Sequence, residues 1–460
     1  MPMNDIIPLN AKADAPDGTE NTLNLMRRAY THNAERREKE ATALREEARA
    51  IVFDMPAGDA RRQLEAEWHF LSSLTITNGS DNALTHMEQA AELSSAPLRL
   101  LDSTEPFYFG VQPFAMFYRT PGKLCAEREK LRRLTELYEA HTAVNTKGVM
   151  TLFDAEPYRY LGDIQRAETF CHSALYMANT YHLDFLLLHT SQTLAHVYLQ
   201  KMDADGFEQA LYSMNVAVGM HERNARICGQ MFDLNHASIY VDLKSPSLIA
   251  PWILQGKTDQ LPMSTYYSAN YLCALAALQS GELSKALGIA RAMLEDISLH
   301  WIGVLIPGLL HLIAMLSLLL MDQPKEASGH LESAAALLVP DGLYTLFGGF
   351  LHYIPPKHQG VLHKLWRKYP EAKQPLEDML AQYQQQRQAL AQLYERGEIR
   401  PKLTRREKEI AGMVARGMRN GEIAQALGIN ERTIKSHVTA IFKKLNIDRR
   451  SKLLEMLRKS

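Results

Sequence analysis

The sequence predicts an all-α protein, in which a helical-repeat solenoid is followed by a small C-terminal domain of four helices. Three observations support this fold class. Apolar residues recur at helical spacing almost throughout residues 22–395, where alternating β-branched runs are few. A turn residue followed by alanine recurs along the same region. From residue 403 onward, the sequence carries the start and stop signals of several short helices in succession.

These signals divide the 460-residue chain into four parts. Residues 1–21 are polar and lack the apolar run of a secretory signal, so they predict a flexible tail. Residues 22–375 form the predicted sensor or interaction domain, and a Gln-rich helical linker over residues 376–402 leads to the C-terminal domain, residues 403–460. The 4 cysteines show no CxxC spacing and are predicted to be free core thiols of a cytoplasmic protein.

The long first domain predicts stacked helix pairs. A Gly or Asp turn is followed four or five residues later by alanine, which would let two helices approach each other closely. Successive alanines are 43, 41, 43, 76 and 41 residues apart, which indicates a helix-pair repeat. The pairs are Gly79 with Ala83, Gly122 with Ala126, Gly162 with Ala167, Gly206 with Ala210, Gly281 with Ala286, and Asp322 with Ala327.

Two of these units resemble tetratricopeptide repeats. Residues 158–163 with Ala167, and residues 278–282 with Ala286, are similar to the long repeats in the C-terminal half of maltose-regulator-type activators. The resemblance implies a curved solenoid whose inner groove accepts a small molecule, a peptide or a protein. A non-repetitive helical bundle is the alternative.

The sequence predicts no enzymatic activity, no metal and no cofactor. The stretch Gly256-Lys257-Thr258 is similar to the end of a phosphate-binding loop, but Pro251 stands where that loop needs its first glycine. We therefore do not expect the ATPase that maltose-regulator-type activators carry. The 17 histidines include no HExxH motif and no spacing with cysteine that suggests zinc, and no GxSxG motif occurs.

One apolar stretch allows two interpretations. Residues 299–321 contain no formal charge over a length that could span a bilayer. The stretch is interrupted by Pro307 and Gly308, and no cluster of Lys or Arg flanks it. It also falls where a repeat helix is expected before the turn at Asp322, which favours a buried helix over a membrane span.

The C-terminal domain shows three helices in detail. Thr404 and Glu407 form a capping box that starts a helix over residues 405–416. A short second helix follows Asn420, and Gly428 supplies the tight turn of a helix-turn-helix. Asn430 then caps a third helix over residues 431–445.

The third helix has the pattern of a major-groove reader. Ile434, Val438, Ile441 and Leu445 form one apolar stripe. The opposite face carries cations and small hydroxyls, which suit phosphates and base edges. Its members are Arg432, Ser436, Thr439 and Lys443, with Lys435 at the edge.

The charge distribution agrees with a DNA partner. Residues 401–460 contain 15 Lys and Arg against 6 Asp and Glu, whereas residues 1–400 contain 36 against 46. A basic C-terminal domain attached to an acidic body predicts that only the former binds a polyanion.

The C-terminal domain resembles the LuxR-type helix-turn-helix. The likeness lies in the LTxREKEI opening from Leu403, the EIA of the second helix from Glu422, the TIKxHV of the third from Thr433, and the later KL pair at Lys444. It implies a homodimer that contacts an inverted repeat in double-stranded DNA and works with RNA polymerase. The closing helix over residues 451–459, where Leu453, Leu454 and Leu457 are available for a partner, aligns with the usual dimer contact. The predicted DNA-binding residues are Arg432, Thr433, Lys435, Ser436, Thr439, Lys443, Lys444 and Arg450.

Aromatic clusters in the body are candidates for the groove that binds an effector. The same aromatics at helical spacing could instead fill the core, and both interpretations remain open. Phe350 and Tyr353 belong to the cluster around Gly348. The predicted ligand-binding residues are Phe107, Tyr108, Phe114, Tyr118, Tyr266 and Phe347.

Together these features predict a bacterial DNA-binding transcriptional regulator, and the LuxR-type resemblance implies an activator rather than a repressor. Its helical-repeat domain would sense a small molecule or a protein or peptide signal. The alternatives are a membrane-tethered one-component receptor and a protein-interaction scaffold whose DNA binding is controlled by a protein partner.

Overall fold

The computed structural model describes residues 18–74, 79–101, 112–219, 225–243, 248–258, 261–296, 303–395, 405–444, 450 and 453. Within these ranges the chain is helical and has no β-strand; an isolated bridge pairs Leu98 with Thr142. The all-α prediction is confirmed.

The first part of the body contains eleven described helices. They are α1 (Thr19–Ala34), α2 (Glu38–Asp54), α3 (Asp59–Leu74), α4 (Gly79–Leu93), α5 (Pro113–Phe117), α6 (Leu124–His141), α7 (Val149–Leu161), α8 (Ile164–Tyr181), α9 (Asp184–Lys201), α10 (Ala204–Gly219) and α11 (Ala225–Asp242).

The second part of the body ends in a long helix. Its helices are α12 (Pro251–Leu254), α13 (Met263–Gln279), α14 (Leu283–Glu295), α15 (Leu305–Leu320), α16 (Pro324–Leu338), α17 (Thr345–Leu351), α18 (Gly360–Lys368) and α19 (Lys373–Glu395). The C-terminal domain contains α20 (Arg405–Ala415), α21 (Asn420–Leu427) and α22 (Glu431–Lys444).

Consecutive helices of the body pack as pairs. The pairs are α1 with α2, α3 with α4, α7 with α8, α9 with α10, α13 with α14, and α15 with α16. Neighbouring pairs also contact each other: α8 packs against α9, and α14 packs against α15. This arrangement supports a helical solenoid, whereas the finer likeness to tetratricopeptide repeats stays a prediction.

The predicted turns are found in three of these pairs. Gly162, Gly281 and Asp322 adopt left-handed backbone conformations with φ of 85°, 80° and 63°. The alanines that follow them, Ala167, Ala286 and Ala327, are fully buried. Here a short side chain lets the second helix of a pair lie close to the first, as the repeat signature predicts.

The signature is misplaced at other positions. Between α9 and α10 the left-handed residue is Met202, with φ of 62°. Gly206 lies inside α10, where a Cβ atom would meet the ring of Tyr198 at 2.6 Å. Gly122 adopts the left-handed conformation before α6, with φ of 77°, but Ala126 is exposed on that helix. Gly79 is the first residue of α4.

The apolar stretch before Asp322 becomes α15. Its side chains are buried on almost every side of the helix, for example Leu310, Ile313 and Leu318, which have no exposed surface. The helix packs against α14 and α16, which explains its composition. In the part of the chain that the structure describes, no helix is both long enough and apolar enough to cross a membrane.

Segments near the end of the body contact segments much earlier in the sequence. The carboxylate of Asp341 accepts hydrogen bonds from the hydroxyl of Tyr118 and from the backbone N–H groups of Gly122 and Leu124. The hydroxyl of Thr345, at the start of α17, donates to the carbonyl of Tyr160 on α7 (2.9 Å). The contacts of Asp341 join the turn after α16 to the segment between α5 and α6, and the contact of Thr345 joins α17 to α7.

The cysteines lie in different environments. Cys171 and Cys273 are buried free thiols, as predicted. Cys125 is exposed on α6, so its assignment to the core was wrong. The side chain of Cys228 lies outside the described residues.

Candidate functional site

The C-terminal domain has its own small apolar core. Ile434, Val438 and Ile441 lie along one side of α22, and their exposed fractions are 0%, 7% and 0%. This confirms the predicted apolar stripe as far as Ile441, since Leu445 lies outside the described residues. The stripe belongs to one cluster with residues of α20 and α21, namely Ile410, Ala411, Val414, Ile423 and Ala424.

Two glycines and an asparagine define the ends of these helices. Gly417 and Gly428 follow α20 and α21 in left-handed conformation, with φ of 86° and 63°, as glycine commonly does at a helix C-terminus. The side chain of Asn430 accepts a hydrogen bond from the backbone N–H of Arg432 (2.8 Å). The predicted cap of α22 is therefore confirmed. Thr404, the first residue of the predicted capping box, lies outside the described residues.

The face of α22 opposite its apolar stripe is open to solvent. Arg432, Lys435, Ser436 and Thr439 are exposed, and Thr433 is half-buried. The Ser436 and Thr439 hydroxyls donate to the backbone carbonyls four residues earlier, at 3.1 and 2.9 Å. Each hydroxyl oxygen keeps acceptor capacity in that position. Two cations and two small hydroxyls thus share one exposed helix face.

Comparison with known proteins identifies this unit. Residues 401–457 match the family described as bacterial regulatory proteins, luxR family. The C-terminal domain is a LuxR-type helix-turn-helix. A stretch of 45 residues is 49% identical to the uncharacterized transcriptional regulatory protein YhcZ of Bacillus subtilis (strain 168). That stretch is 10% of this chain and spans 21% of the relative's length, so this likeness covers a small part of either protein.

In the LuxR-type domain, Arg450 makes internal contacts. Its guanidinium donates to the backbone carbonyl of Met418 (3.2 Å) and to the side-chain oxygen of Asn420 (2.6 Å). These bonds hold the turn before α21 in place. A contact between Arg450 and DNA stays a prediction, as do those of Lys443 and Lys444, whose side chains lie outside the described residues.

Leu453 is also used within the domain. It is fully buried in the same core as Ile434 and Ile441. It therefore contributes to domain stability, although it was predicted as part of a dimer surface. Leu454 and Leu457, the other predicted partner-facing residues, lie outside the described residues.

The body contains a cavity that is separate from the LuxR-type domain. Its volume is about 320 Å³, and residues of α5, α7, α9, α11, α13, α15, α17 and α19 line it. In the pairs α7–α8, α9–α10, α13–α14 and α15–α16, the first helix supplies the lining, except for Ile164 at the start of α8. A cavity of this size lies at the lower end of the range typical of small-molecule sites.

Three helices supply the polar wall of the cavity. Glu156 and Arg159 lie on α7, three residues apart. On α9 and α11, polar residues recur at intervals of three and four, which places them on one side of each helix. They are His189, Gln192 and His196 on α9, and Asn235, Ser238 and Asp242 on α11.

Glu156 and Arg159 form an ion pair in this wall. A guanidinium nitrogen of Arg159 lies 3.3 Å from a carboxylate oxygen of Glu156, and the exposed fractions of the two side chains are 11% and 4%. The hydroxyl of Thr193 donates to the other carboxylate oxygen (2.7 Å). Burial raises the pKa of Glu156, but the Arg159 charge and the hydrogen bonds of Thr193 and Tyr160 outweigh it, so the pKa falls below its ordinary value.

The histidines of α9 lie in different surroundings. His196 contacts the carboxylate of Asp242 through Nδ1 (3.0 Å) and the hydroxyl of Ser238 through Nε2 (3.3 Å). His189 is 1% exposed. Burial lowers the pKa of His189 to about 4, although the charge of Glu156 acts in the opposite direction. His189 is therefore neutral at physiological pH.

The four predicted aromatic ligand residues that the structure describes do not line the cavity. Phe114, Tyr118 and Phe347 are fully buried in the core, and the Arg36 guanidinium covers the ring of Tyr266 at 3.4 Å. Phe107 and Tyr108 lie outside the described residues. Phe350 and Tyr353, from the aromatic cluster around Gly348, do line the cavity.

The sequence contained a signal for the polar wall. His189, Gln192 and His196 repeat at intervals of three and four within a helix that is otherwise rich in leucine. Such a stripe indicates either a solvent-facing side or a lined cavity, and neighbouring helices decide between the two. In the described part of the chain, no group of three or more His, Cys, Asp or Glu side chains is arranged to hold a metal ion.

Proposed function

We propose that this protein is a bacterial transcriptional regulator whose LuxR-type domain binds specific double-stranded DNA. The exposed face of α22 carries this proposal. Arg432 and Lys435 provide cations for phosphates, and Ser436 and Thr439 provide small groups that fit against base edges. The apolar stripe on the other side holds the helix to α20 and α21, so the polar face points away from the domain.

Two copies of the domain would bind an inverted repeat, with one α22 in each major groove. Half-sites would then lie about one turn, roughly 34 Å, apart on the duplex. We propose a cytoplasmic homodimer that recruits RNA polymerase as an activator. Thr433, Lys443, Lys444 and Arg450 remain proposed contacts beside the four exposed residues.

The body would act as the sensor. Its cavity combines a charged and hydrogen-bonded wall with an apolar one, as sites for small molecules do. Binding there would shift the balance between two arrangements of the dimer, only one of which places both LuxR-type domains on DNA. Control by a protein partner instead of a small molecule is the competing mechanism.

A binding-site selection with the full-length protein tests the DNA assignment. Salt-dependent binding of the selected duplex is then compared between the wild type and variants of α22. Lys435→Ala should weaken binding to every duplex and reduce the slope of log K against log salt by about 0.9, the value for one phosphate contact. Ser436→Ala and Thr439→Ala should instead change sequence preference, by about 1 to 3 kcal/mol per disturbed base contact.

Lys325→Ala is the matched control, because Lys325 is an exposed lysine on α16 of the body. It should leave both the affinity and the salt slope unchanged. If Lys435→Ala, Ser436→Ala and Thr439→Ala have equal effects on every duplex, α22 does not read sequence. If the selection enriches no duplex, the proposed function fails.

A further inference from the structure

We propose that the body cavity binds a small, uncharged amphipathic molecule whose carbonyl oxygen accepts hydrogen bonds from Arg159. This inference deepens the proposed function, because it assigns the sensor a site and a class of ligand. Two observations support it: the polar and apolar parts of the cavity lining, and the hydrogen bonds that the buried guanidinium of Arg159 makes.

A second part of the cavity lining is mostly apolar, with Ser268, Gln279, Thr345 and Gln382 as its polar members. It is formed by α13, α15, α17 and α19, which contribute Leu272, Leu275, Leu305, Leu309, Phe350 and Met379. Hydrocarbon placed against these side chains would leave water, which is favourable by about 25 cal/mol per Å² of apolar surface. The cavity therefore suits a ligand with a polar end and an apolar end.

Most of the polar wall is satisfied by its own neighbours. Ser238 accepts a hydrogen bond from the amide of Gln192 (2.6 Å) and donates to the carbonyl of Asn235 (2.8 Å). His196 lies between Ser238 and Asp242. These bonds fix the side chains before any ligand arrives, which reduces the entropy lost on binding.

Arg159 keeps hydrogen-bond donors without a partner among the described residues. A guanidinium has five N–H donors, and within the described residues Arg159 forms one hydrogen bond, to Glu156 (3.3 Å). Its Nε atom is buried and has no hydrogen-bond partner in that part of the chain. The guanidinium also lies over the ring of Tyr160, 4.2 Å from the ring centre. The Nε atom has no accessible surface for a ligand, but Arg159 lines the cavity, so the other N–H groups of its guanidinium would favour an acceptor atom on a ligand.

The local charge favours a neutral acceptor over an anion or a cation. Glu156 already neutralises Arg159, so a carboxylate would add an uncompensated negative charge to a buried site. An amine would need a free carboxylate, but Glu156 is already occupied by Arg159 and Thr193. The carboxylate of Asp242 keeps 57% of its exposure, and solvent screens it. A carbonyl oxygen fits the remaining donors without adding charge.

The test uses simple probes on the full-length protein, with binding followed by ligand-detected NMR. Straight-chain primary amides from butanamide to octanamide are compared with octanoate and octylamine, which share the hydrocarbon chain but carry opposite charges. We expect the amides to bind with dissociation constants that fall up to about fourfold per added CH₂ group. Octanoate and octylamine should bind more weakly than octanamide.

Two substitutions locate the site. Arg159→Lys keeps the charge but loses the planar set of donors, and should weaken octanamide binding about tenfold. Ser268→Phe places a large side chain in the cavity from α13 and should abolish binding. Ser213→Phe is the matched control, since Ser213 lies half-buried on α10 and does not line the cavity. Circular dichroism checks that each variant keeps its helical content.

The outcomes separate this inference from the proposed function. Tighter binding of octanoate or octylamine, binding that survives Ser268→Phe, or no binding of any amide would overturn the inference. DNA binding measured in parallel with the selected duplex addresses the proposed function. Loss of all DNA preference while octanamide still binds would overturn the regulator assignment and leave the cavity assignment standing.

Discussion

Helices α9 and α22 carry polar residues at the same spacing but use them in opposite ways. On α9, His189, Gln192, Thr193 and His196 are all buried. On α22, Arg432, Lys435, Ser436 and Thr439 occupy the equivalent positions of a helical stripe and are all exposed. The number of neighbouring helices makes the difference: α9 is packed by α7, α8, α10 and α11, whereas the described contacts of α22 are with α20 and α21 on one side.

This difference determines what each stripe does. Buried polar groups must find partners inside the protein, so those of α9 contribute to stability and line a preformed cavity. Exposed polar groups are satisfied by water until another molecule replaces it, so those of α22 are available for binding. Substitutions in the cavity wall should therefore change folding stability, whereas substitutions on the outer face of α22 should change DNA affinity alone.

The largest expected effect comes from Glu156→Gln. It removes the counter-ion of Arg159 in the cavity wall, and breaking a buried ion pair from one side costs about 3 to 5 kcal/mol. Urea unfolding of the body should show this loss. Glu282→Gln is the matched control, because Glu282 pairs with Lys285 at 3.0 Å on the surface, where its side chain is 54% exposed. A surface pair of this kind contributes at most about 1 kcal/mol.

The double variant Glu156→Gln with Arg159→Met sharpens the same comparison. Removing both charges should recover a large part of the stability that Glu156→Gln loses, because no buried charge is left without a partner. Equal losses for Glu156→Gln and Glu282→Gln would mean that the cavity wall behaves like an exposed surface, and the distinction between the two stripes would break down.

The next effect depends on pH and concerns His189. Its pKa in the folded protein is about 4, below the ordinary value of about 6.5 that applies to the unfolded chain. As the pH falls, the unfolded chain therefore takes up a proton on His189 before the folded protein does. The part of the free energy of unfolding that depends on neutral His189 is complete above pH 6.5 and is lost as the pH falls towards 4. Its full size is up to about 3 kcal/mol.

Unfolding in urea at pH 7, 5.5 and 4.5 measures this contribution. His189→Gln should lower stability at pH 7 and lose less on acidification than the wild type does. His182→Asn changes an exposed histidine at the C-terminus of α8 and should keep the wild-type pH dependence. If His189→Gln also keeps the wild-type pH dependence, burial does not lower the pKa of His189.

The sequence predicted more of the LuxR-type domain than of the body. Asn430, Gly417 and Gly428 are local signals, because a cap or a left-handed turn depends on residues a few positions away. The apolar stripe of α22 was equally visible. The cavity was not, because it forms where α7, α9 and α11 meet α15 and α17 from distant parts of the chain. Most of the described aromatic residues at similar spacing pack in the hydrophobic core instead.

Turns in the body show the same limit. Asp322 was recognised as a turn because Asp tolerates the left-handed conformation better than most residues. Met202 adopts that conformation without any such preference, so its turn was assigned to Gly206. Packing of the α9 and α10 pair imposes the conformation on Met202, and no local pattern reports it.

The smallest effect should come from the cap of α22. Asn430→Ala removes the acceptor for the backbone N–H of Arg432 and should cost about 1 kcal/mol. Hydrogen exchange of the full-length protein should show faster exchange in the first turn of α22, with protection of α9 unchanged. Asn430→Ser keeps a capping oxygen and should behave as the wild type.

Because Arg432 lies in that first turn, Asn430→Ala should also weaken binding of the selected duplex, by no more than the factor of about ten that corresponds to 1.4 kcal/mol. In that case Asn430→Ala alters DNA affinity by shifting the exposed polar stripe of α22. The buried polar stripe of α9 keeps its structure. Faster hydrogen exchange in α9 would show instead that the two helices are energetically coupled and that their polar stripes do not act independently.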